Sequence, residues 1–343
     1  MNNLEIVSPN ISICIPTFNR PEFLKIAIES ALNQDYEKFD VVIACDGNSV
    51  ETFNLVQKFN SEKIKIFTKE HSNVADTRNF LIKHSTGEFI LWLDDDDVLE
   101  KNILSTYIRY LNKFKDAQIF YCKLKAFRHD YRLERIYEYN DWYSKQNEIV
   151  SFLIVGQPIP NGGTLIKRSV FEEIGVYNVD FNRAEDYEFY SRVFVSKKFN
   201  SKFINEFLYN YRFHEKNITL NLSGKIDFKY ETKILRRLIT NYDLNLFFPQ
   251  LKNSDNYKKS LAEVYYILGI KFFNYGAYSD SVFYLTASLR EERNLERLNH
   301  SIQGFIDSGV IEELKVYLYM VKGLFEGNTE LEKVIEIIDN YKE

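Results

Sequence analysis

Four consecutive carboxylates, Asp94 to Asp97, close an apolar run in GEFILWLDDDDVLE. Like charges this close repel one another and need a cation or a salt partner. Carboxylate oxygens are hard ligands suited to Mg²⁺ or Mn²⁺, ions that commonly also hold substrate phosphates. The plainer alternative is a helix N-terminus: Val98-Leu99 reads as the start of a helical stretch, and acids favour that end. Asp46 ends a second apolar run and is followed by Gly47. Its carboxylate could accept a hydrogen bond from a nucleobase N–H, or simply serve an Asp-Gly turn. Arg78, in NVADTRNF, carries a guanidinium suited to bidentate contact with diphosphate oxygens, or to a surface position. Glu185-Asp186 opens another helical stretch, where an acid is either a cap or a base. His214 lies in YRFHEKNIT after an apolar strand, and a lone His is more often packed than liganding. The basic stretches Ser196-Lys197-Lys198 and Lys233 to Arg237 could touch an anionic membrane or form solvated faces.

These residues need a frame that brings them together. ISICI (11–15) reads as a buried strand, followed by a helix that starts near Pro21 and carries Phe23, Leu24, Ala27, Ile28, Ala31 and Leu32 at helical spacing. DVVIAC (40–45) is a second strand; a helix around 50–60, a strand IKIF (64–67), a helix around 75–84 and a strand FILWL (89–93) follow. Apolar strands alternating with helices predict an α/β domain with a mostly parallel sheet covered on both faces. Ligands bind such sheets at the carboxyl ends of the strands. The polar clusters fall there: Thr17-Phe18-Asn19-Arg20, Asp46-Gly47 and Asp94 to Asp97. From 119 to about 222 the pattern is less regular, with strand-like IFYCKLKAF, TLIK and FLYNYRF. Residues 226–343 read as successive helices. Within them, 262–289 look like a tetratricopeptide-type hairpin, with Gly269, Gly276 and Ala287 near tight packing points. The expected organisation is a domain over 1–225 and a helical domain over 226–343, with the boundary around Ser223-Gly224.

Composition narrows the partners. Hydrophobic residues make up 45% of the 343, enough for a sizeable core, and the net charge of −5 argues against nucleic acid as a partner. Cys14, Cys45 and Cys122 sit in apolar runs without ligand spacing and read as buried hydrophobes of a reducing compartment. No apolar run reaches the length of a membrane span, and the first residues lack the pattern of a signal peptide. Cytoplasmic residence is expected, with peripheral contact at the inner face of the membrane left open.

Over roughly residues 11–222 the chain resembles the family-2 glycosyltransferases with the GT-A fold. ISICIPTFNRPEFLKIAIESALNQ is similar to the family's opening strand, loop and helix, and DVVIACDGNS to its second strand and uracil-binding turn. SNVADTRNFLIKHSTGEFILWLDDDD resembles the segment entering the Asp-x-Asp motif. IPNGGTLIKRSVFEEIGVYN with AEDYEFYSRV resembles the acceptor-side glycine loop and the Glu-Asp motif, and YRFHEKNIT the tail with its His. The resemblance implies that Pro16, Thr17, Asn19 and Arg20 lie near the nucleoside, that Asp46 pairs with uracil, and that Arg78 contacts the diphosphate. It implies Asp94 and Asp95 at the nucleotide, Asp96 and His214 at a divalent Mn²⁺ or Mg²⁺, and Gly162 and Gly163 where backbone approaches the sugar. Asp186 is implied as the general base, with Glu185 beside it. In four successive aspartates the register stays open, Asp95 with Asp97 being the other choice. Cys45 stands where many relatives have a second acid, and Asn48 interrupts the usual Gly-Ser pairing.

The implied activity is metal-dependent, inverting transfer of a sugar from a nucleotide-sugar donor, with UDP as the expected nucleotide, in surface glycan or glycoconjugate synthesis. The implied acceptor is a glycan, a lipid-linked sugar or a protein, and the helical domain is a place for homo-oligomer formation. Two alternatives stand beside it. A sugar-phosphate nucleotidyltransferase lacks support, since no Gly-rich, Lys-bearing triphosphate loop occurs early in the chain. A non-catalytic nucleotide-sugar-binding or scaffold protein would work through its helical tail.

Overall fold

The computed structural model describes residues 7–128, 133–137, 146–214, 227–253 and 255–340. The chain divides into two compact units, Met1–Ile226 and Asp227–Glu343. The expected boundary at Ser223-Gly224 and the residues following His214 in YRFHEKNIT lie outside the described residues.

The first unit runs β1 (Ile11–Thr17), α1 (Pro21–Leu32), β2 (Phe39–Asp46), α2 (Val50–Gln57), β3 (Ile64–Lys69), α3 (Val74–His84), β4 (Phe89–Trp92) and β5 (Val98–Leu99). It continues with α4 (Ile103–Lys113), β6 (Ala117–Arg128), β7 (Leu133–Tyr137), α5 (Gln146–Phe152), β8 (Leu165–Lys167), α6 (Arg168–Ile174), α7 (Glu185–Ser196) and β9 (Asn200–Phe213). Among the described residues these strands form one sheet in the order β3-β2-β1-β4-β8-β6-β9-β5, with β7 on β6. Strands β3, β2, β1 and β4 are parallel, as are β6 and β9, while β8 joins the two sets antiparallel to both. Every residue of β1, β2 and β4 is buried, which is why these strands read as unbroken apolar runs. Alternate residues such as Ile13, Ile43 and Leu91 share one core with Leu24 and Ile28 of α1 and Leu104 of α4. On the opposite face Trp92 packs with Phe171 of α6 and Tyr177, which in turn meet Phe189 of α7.

One expectation fails. Asp94 to Asp97 do not open a helix: Val98-Leu99 form β5, which pairs antiparallel with β9, and α4 begins only at Ile103. The reason is tertiary. Asp97 turns inward and accepts hydrogen bonds from Tyr209 and Arg212 of β9, drawing the next two residues into the sheet.

The second unit holds α8 (Lys229–Asn241), α9 (Tyr257–Asn274), α10 (Tyr278–Glu291), α11 (Leu295–Asp307), α12 (Ile311–Lys322) and α13 (Thr329–Asp339). Gly269 is a tight contact point, since a Cβ there would lie 2.7 Å from Leu285 Cγ. Gly276 is not: nothing lies within 4 Å of its Cβ position, and its φ of +70° identifies it as the left-handed residue that ends α9. No described helix is long and apolar enough to cross a membrane. All three cysteines are free and buried. Of the two basic stretches, Lys198 is paired with Glu173 and Arg236 with Asp280.

Candidate active site

The order β2-β1-β4 sets the ends of three parallel strands side by side, so Asp46, Thr17 and the aspartate turn share one rim. The four aspartates then divide by partner. Asp94 lies 3.0 Å from Arg78 Nη2. Asp95 accepts from Thr17 Oγ1 at 2.7 Å and from Arg20 Nη1 at 3.2 Å. Asp96 Oδ2 receives Arg20 Nη1 at 2.5 Å and lies 3.0 Å from His214 Nε2. Asp97, only 1% exposed, is spent on the Tyr209 hydroxyl at 2.7 Å and the Arg212 amide at 2.8 Å. It therefore offers no open carboxylate for an Asp95–Asp97 pairing. Burial is the largest cause raising the carboxyls of Asp94, Asp95 and Asp97, and the charge of Asp96 adds to it in each; Asp95 is pushed up to about 7. A turn this rich in strained carboxylates attracts cations.

His214 is held by more than its acid. Its ring stacks on Phe23 of α1 at 4.7 Å, so the apolar stripe of that helix reaches the site. Arg212, two residues earlier, donates through Nε to the Asp96 carbonyl at 2.8 Å.

Arg78, expected at the diphosphate, is engaged with two carboxylates. Only 5% exposed, it joins Asp94 at the end of β4 to Glu185 at the start of α7. Its guanidinium lies between the rings of Trp92 and Tyr177, at 5.9 and 5.7 Å. Its charge is locked in by the two carboxylates, whereas Glu185 is pushed up to about 7, chiefly by burial, with Arg78 opposing and Asp186 adding repulsion. Asp186 is half-buried; Gln157 Nε2 donates to its Oδ2 at 2.8 Å and its own neighbour's amide, Tyr187 N, to Oδ1 at 2.8 Å.

At the other end of the rim, Asp46 is buried and receives Lys69 Nζ at 3.0 Å, Ser72 N at 2.9 Å and His71 Nδ1 at 3.0 Å. His71 stacks on Phe18 with ring centroids 4.1 Å apart, and Phe18 is 43% exposed. Asn19, exposed beside it, adopts a left-handed φ of +52°. Pro16 stays buried within β1. Lys69, His71 and Ser72 were missed in the sequence, yet the rule that found Asp46 applies to them: they lie at the carboxyl end of β3, whose last residue, Lys69, pairs in register with Asp46.

Gly162 and Gly163, expected where backbone approaches the sugar, are closely packed on one side. The space beside their α-carbons is filled by Tyr209: a Cβ at Gly162 would lie 2.5 Å from its hydroxyl oxygen, and one at Gly163 2.9 Å from Cδ2. The close approach that demands glycine is to this ring.

A protein-family model described as glycosyl transferase family 2 matches residues 12–175. By that match, residues 12–175 belong to glycosyl transferase family 2. The matched segment contains Asp46 and Asp94–Asp97 and stops short of Glu185-Asp186 and His214. An uncharacterized glycosyltransferase of Rickettsia typhi is 28% identical over 229 residues, covering 65% of this chain and 70% of the relative. The mannosyltransferase PcManGT from Pyrobaculum calidifontis, solved with GDP-Man and Mn²⁺, superposes with a TM-score of 0.55 at 15% identity, covering 98% of this chain and 89% of its own. S. aureus TarS 1-349, solved with UDP-GlcNAc, does so with a TM-score of 0.52 at 15% identity, covering 97% and 89%. The mixed, mostly parallel sheet followed by helices is thus a GT-A-like fold.

Proposed function

We propose that this glycosyltransferase is metal-dependent and inverting, moving a sugar from a UDP-sugar to the hydroxyl of a glycan, a lipid-linked sugar or a protein. In this reading residues 1–225 are the catalytic domain and 226–343 an appended, tetratricopeptide-like helical domain. The observation that carries it is three groups of contacts set along the rim. Asp46 meets His71, which stacks on Phe18; Arg20 bridges Asp95 and Asp96; and Arg78 joins Asp94 to Glu185, next to Asp186.

Among the described residues no three His, Cys, Asp or Glu side chains form a ready-made metal cage. The pair Asp96 and His214 nevertheless fits an ion that fills its other positions with phosphate oxygens and water, as Mn²⁺ and Mg²⁺ do. Such an ion supplies charge neutralisation for the departing diphosphate. The remaining work falls to side chains. The exposed ring of Phe18, braced by His71, is a platform for the base. Arg20, partly exposed, is the cation nearest the Asp95–Asp96 carboxylates. Asp186, held by Gln157, takes the proton of the acceptor hydroxyl as its oxygen attacks the anomeric carbon. The bond from that carbon to the diphosphate oxygen breaks on the opposite face, its electrons leave with the diphosphate, and the configuration inverts. Arg78 keeps Asp186 in reach of the donor by tying α7 to the end of β4.

The test is release of nucleoside diphosphate from a panel of nucleotide sugars with Mn²⁺, alongside calorimetric binding of UDP. Asp186→Asn is expected to bind UDP like the wild type and to lose at least about 10²-fold in turnover. Turnover near the wild-type rate would remove Asp186 from the mechanism.

A further inference from the structure

Tyr209 carries no role in the reading above, yet it touches both walls of the site. Its hydroxyl donates to Asp97 Oδ2 at 2.7 Å and receives the Asp94 amide at 3.3 Å. Asp97 N also donates to Asp94 O at 3.1 Å, so the hydroxyl sits as a second closure across the same turn. The residues at the apex of that turn are Asp95 and Asp96, which face Arg20 and His214. On its other side the Tyr209 ring fills the space beside Gly162 and Gly163. That loop is tied down independently, by Gly163 N on the Trp92 carbonyl at 2.9 Å and by the Tyr107 hydroxyl on the Gly163 carbonyl. The ring is fully buried, and its backbone is in register with Leu99 of β5 directly after the turn.

We infer that Tyr209 is a positioning residue for the transfer reaction. Its hydroxyl pins the aspartate turn and its ring props the glycine loop, so the donor-side and acceptor-side walls keep one spacing. The inference rests on the donor-site reading proposed above. A misplacement of about 1 Å at a reacting centre can cost on the order of 10²-fold in rate, and the pin acts on the two residues next to the turn's apex.

The experiment measures UDP binding by calorimetry as a function of Mn²⁺ concentration, together with thermal unfolding, for the wild type, Tyr209→Phe, Gly162→Ala and the double variant. Tyr209→Phe keeps the ring and removes the pin. It is expected to raise the Mn²⁺ concentration for half-maximal UDP binding about tenfold, to leave metal-free UDP binding unchanged, and to lower turnover by roughly 10–100-fold. Gly162→Ala pushes the same ring from the opposite side, and the double variant is expected to be no worse than the poorer single. It carries the test alone if Tyr209→Phe does not fold. Wild-type Mn²⁺ dependence in both single variants, or effects that add in the double, would overturn the role of Tyr209 while leaving the donor site standing. A wild type that binds neither UDP nor GDP with Mn²⁺ overturns the donor-site reading, and this inference with it.

Discussion

Replacing Arg78 by Met removes the cation from a buried group of acids while keeping most of the side-chain volume. In the native protein the guanidinium faces Asp94 at 3.0 Å and Glu185 in closer contact, with Arg78 and Glu185 both buried. At an effective dielectric of about 20, one such contact is worth about 4 kcal/mol of Coulomb energy near 4 Å before desolvation is subtracted. Breaking a buried pair by deleting one partner typically costs about 3–5 kcal/mol, because a charge is left uncompensated. Here the cost depends on pH. Glu185 already sits near 7 in the native protein, above its ordinary value of 4.5. The folded state therefore holds a proton that the unfolded chain releases between these values. The stabilisation this proton brings is complete below about 4.5 and is lost as pH rises through about 7. Without Arg78 the Glu185 and Asp94 carboxyls rise further, and the loss continues into the alkaline range. Arg78→Met is thus expected to cost about 1–2 kcal/mol at pH 5.5, where Glu185 is mostly neutral, and about 3–5 kcal/mol at pH 8.5. Urea unfolding followed by tryptophan fluorescence leaves the helical unit silent, since residues 227–343 contain no tryptophan. Arg78→Lys, which keeps a charge but has no fork to bridge two acids, should fall between. A variant with wild-type stability at pH 8.5 and no steeper pH dependence would refute the strut.

Three further outcomes follow from single contacts. Phe18→Ala removes the exposed half of the Phe18–His71 stack and should weaken UDP binding in calorimetry by about 1–2 kcal/mol, the size of one base–aromatic contact. Gln157→Leu deletes a donor to Asp186 Oδ2, so the carboxylate is held less firmly and turnover should fall while UDP binding in calorimetry stays unchanged. Gly276→Ala places a Cβ on a residue at φ +70°, which should destabilise the helical unit by about 1 kcal/mol in thermal unfolding while turnover stays unchanged.

The parallel half of the sheet and the rim it presents were legible in the sequence. Strands buried on both faces must be apolar throughout, and polar clusters at their carboxyl ends can only be turns or ligands, so Thr17, Asp46 and Asp94 to Asp97 stood out. The local pattern could not say which aspartate does what, because adjacent acids look alike until a distant strand chooses among them. That choice came from β9 and the residue after it, which contribute Tyr209, Arg212 and His214 from more than a hundred residues away. The same long-range pairing turned Val98-Leu99 into a strand where local propensity favoured a helix. Arg78 and the glycines show the remaining limit. Their residue types announced a tight electrostatic or steric need, but whether a guanidinium meets phosphate or carboxylate, and whether a glycine yields to sugar or to a tyrosine ring, depends on what the fold sets opposite. Local composition and spacing determined which residues had to be together; the packing of β9 and α7 onto the rim decided their partners, because burial energy and ion pairing are properties of neighbours in space.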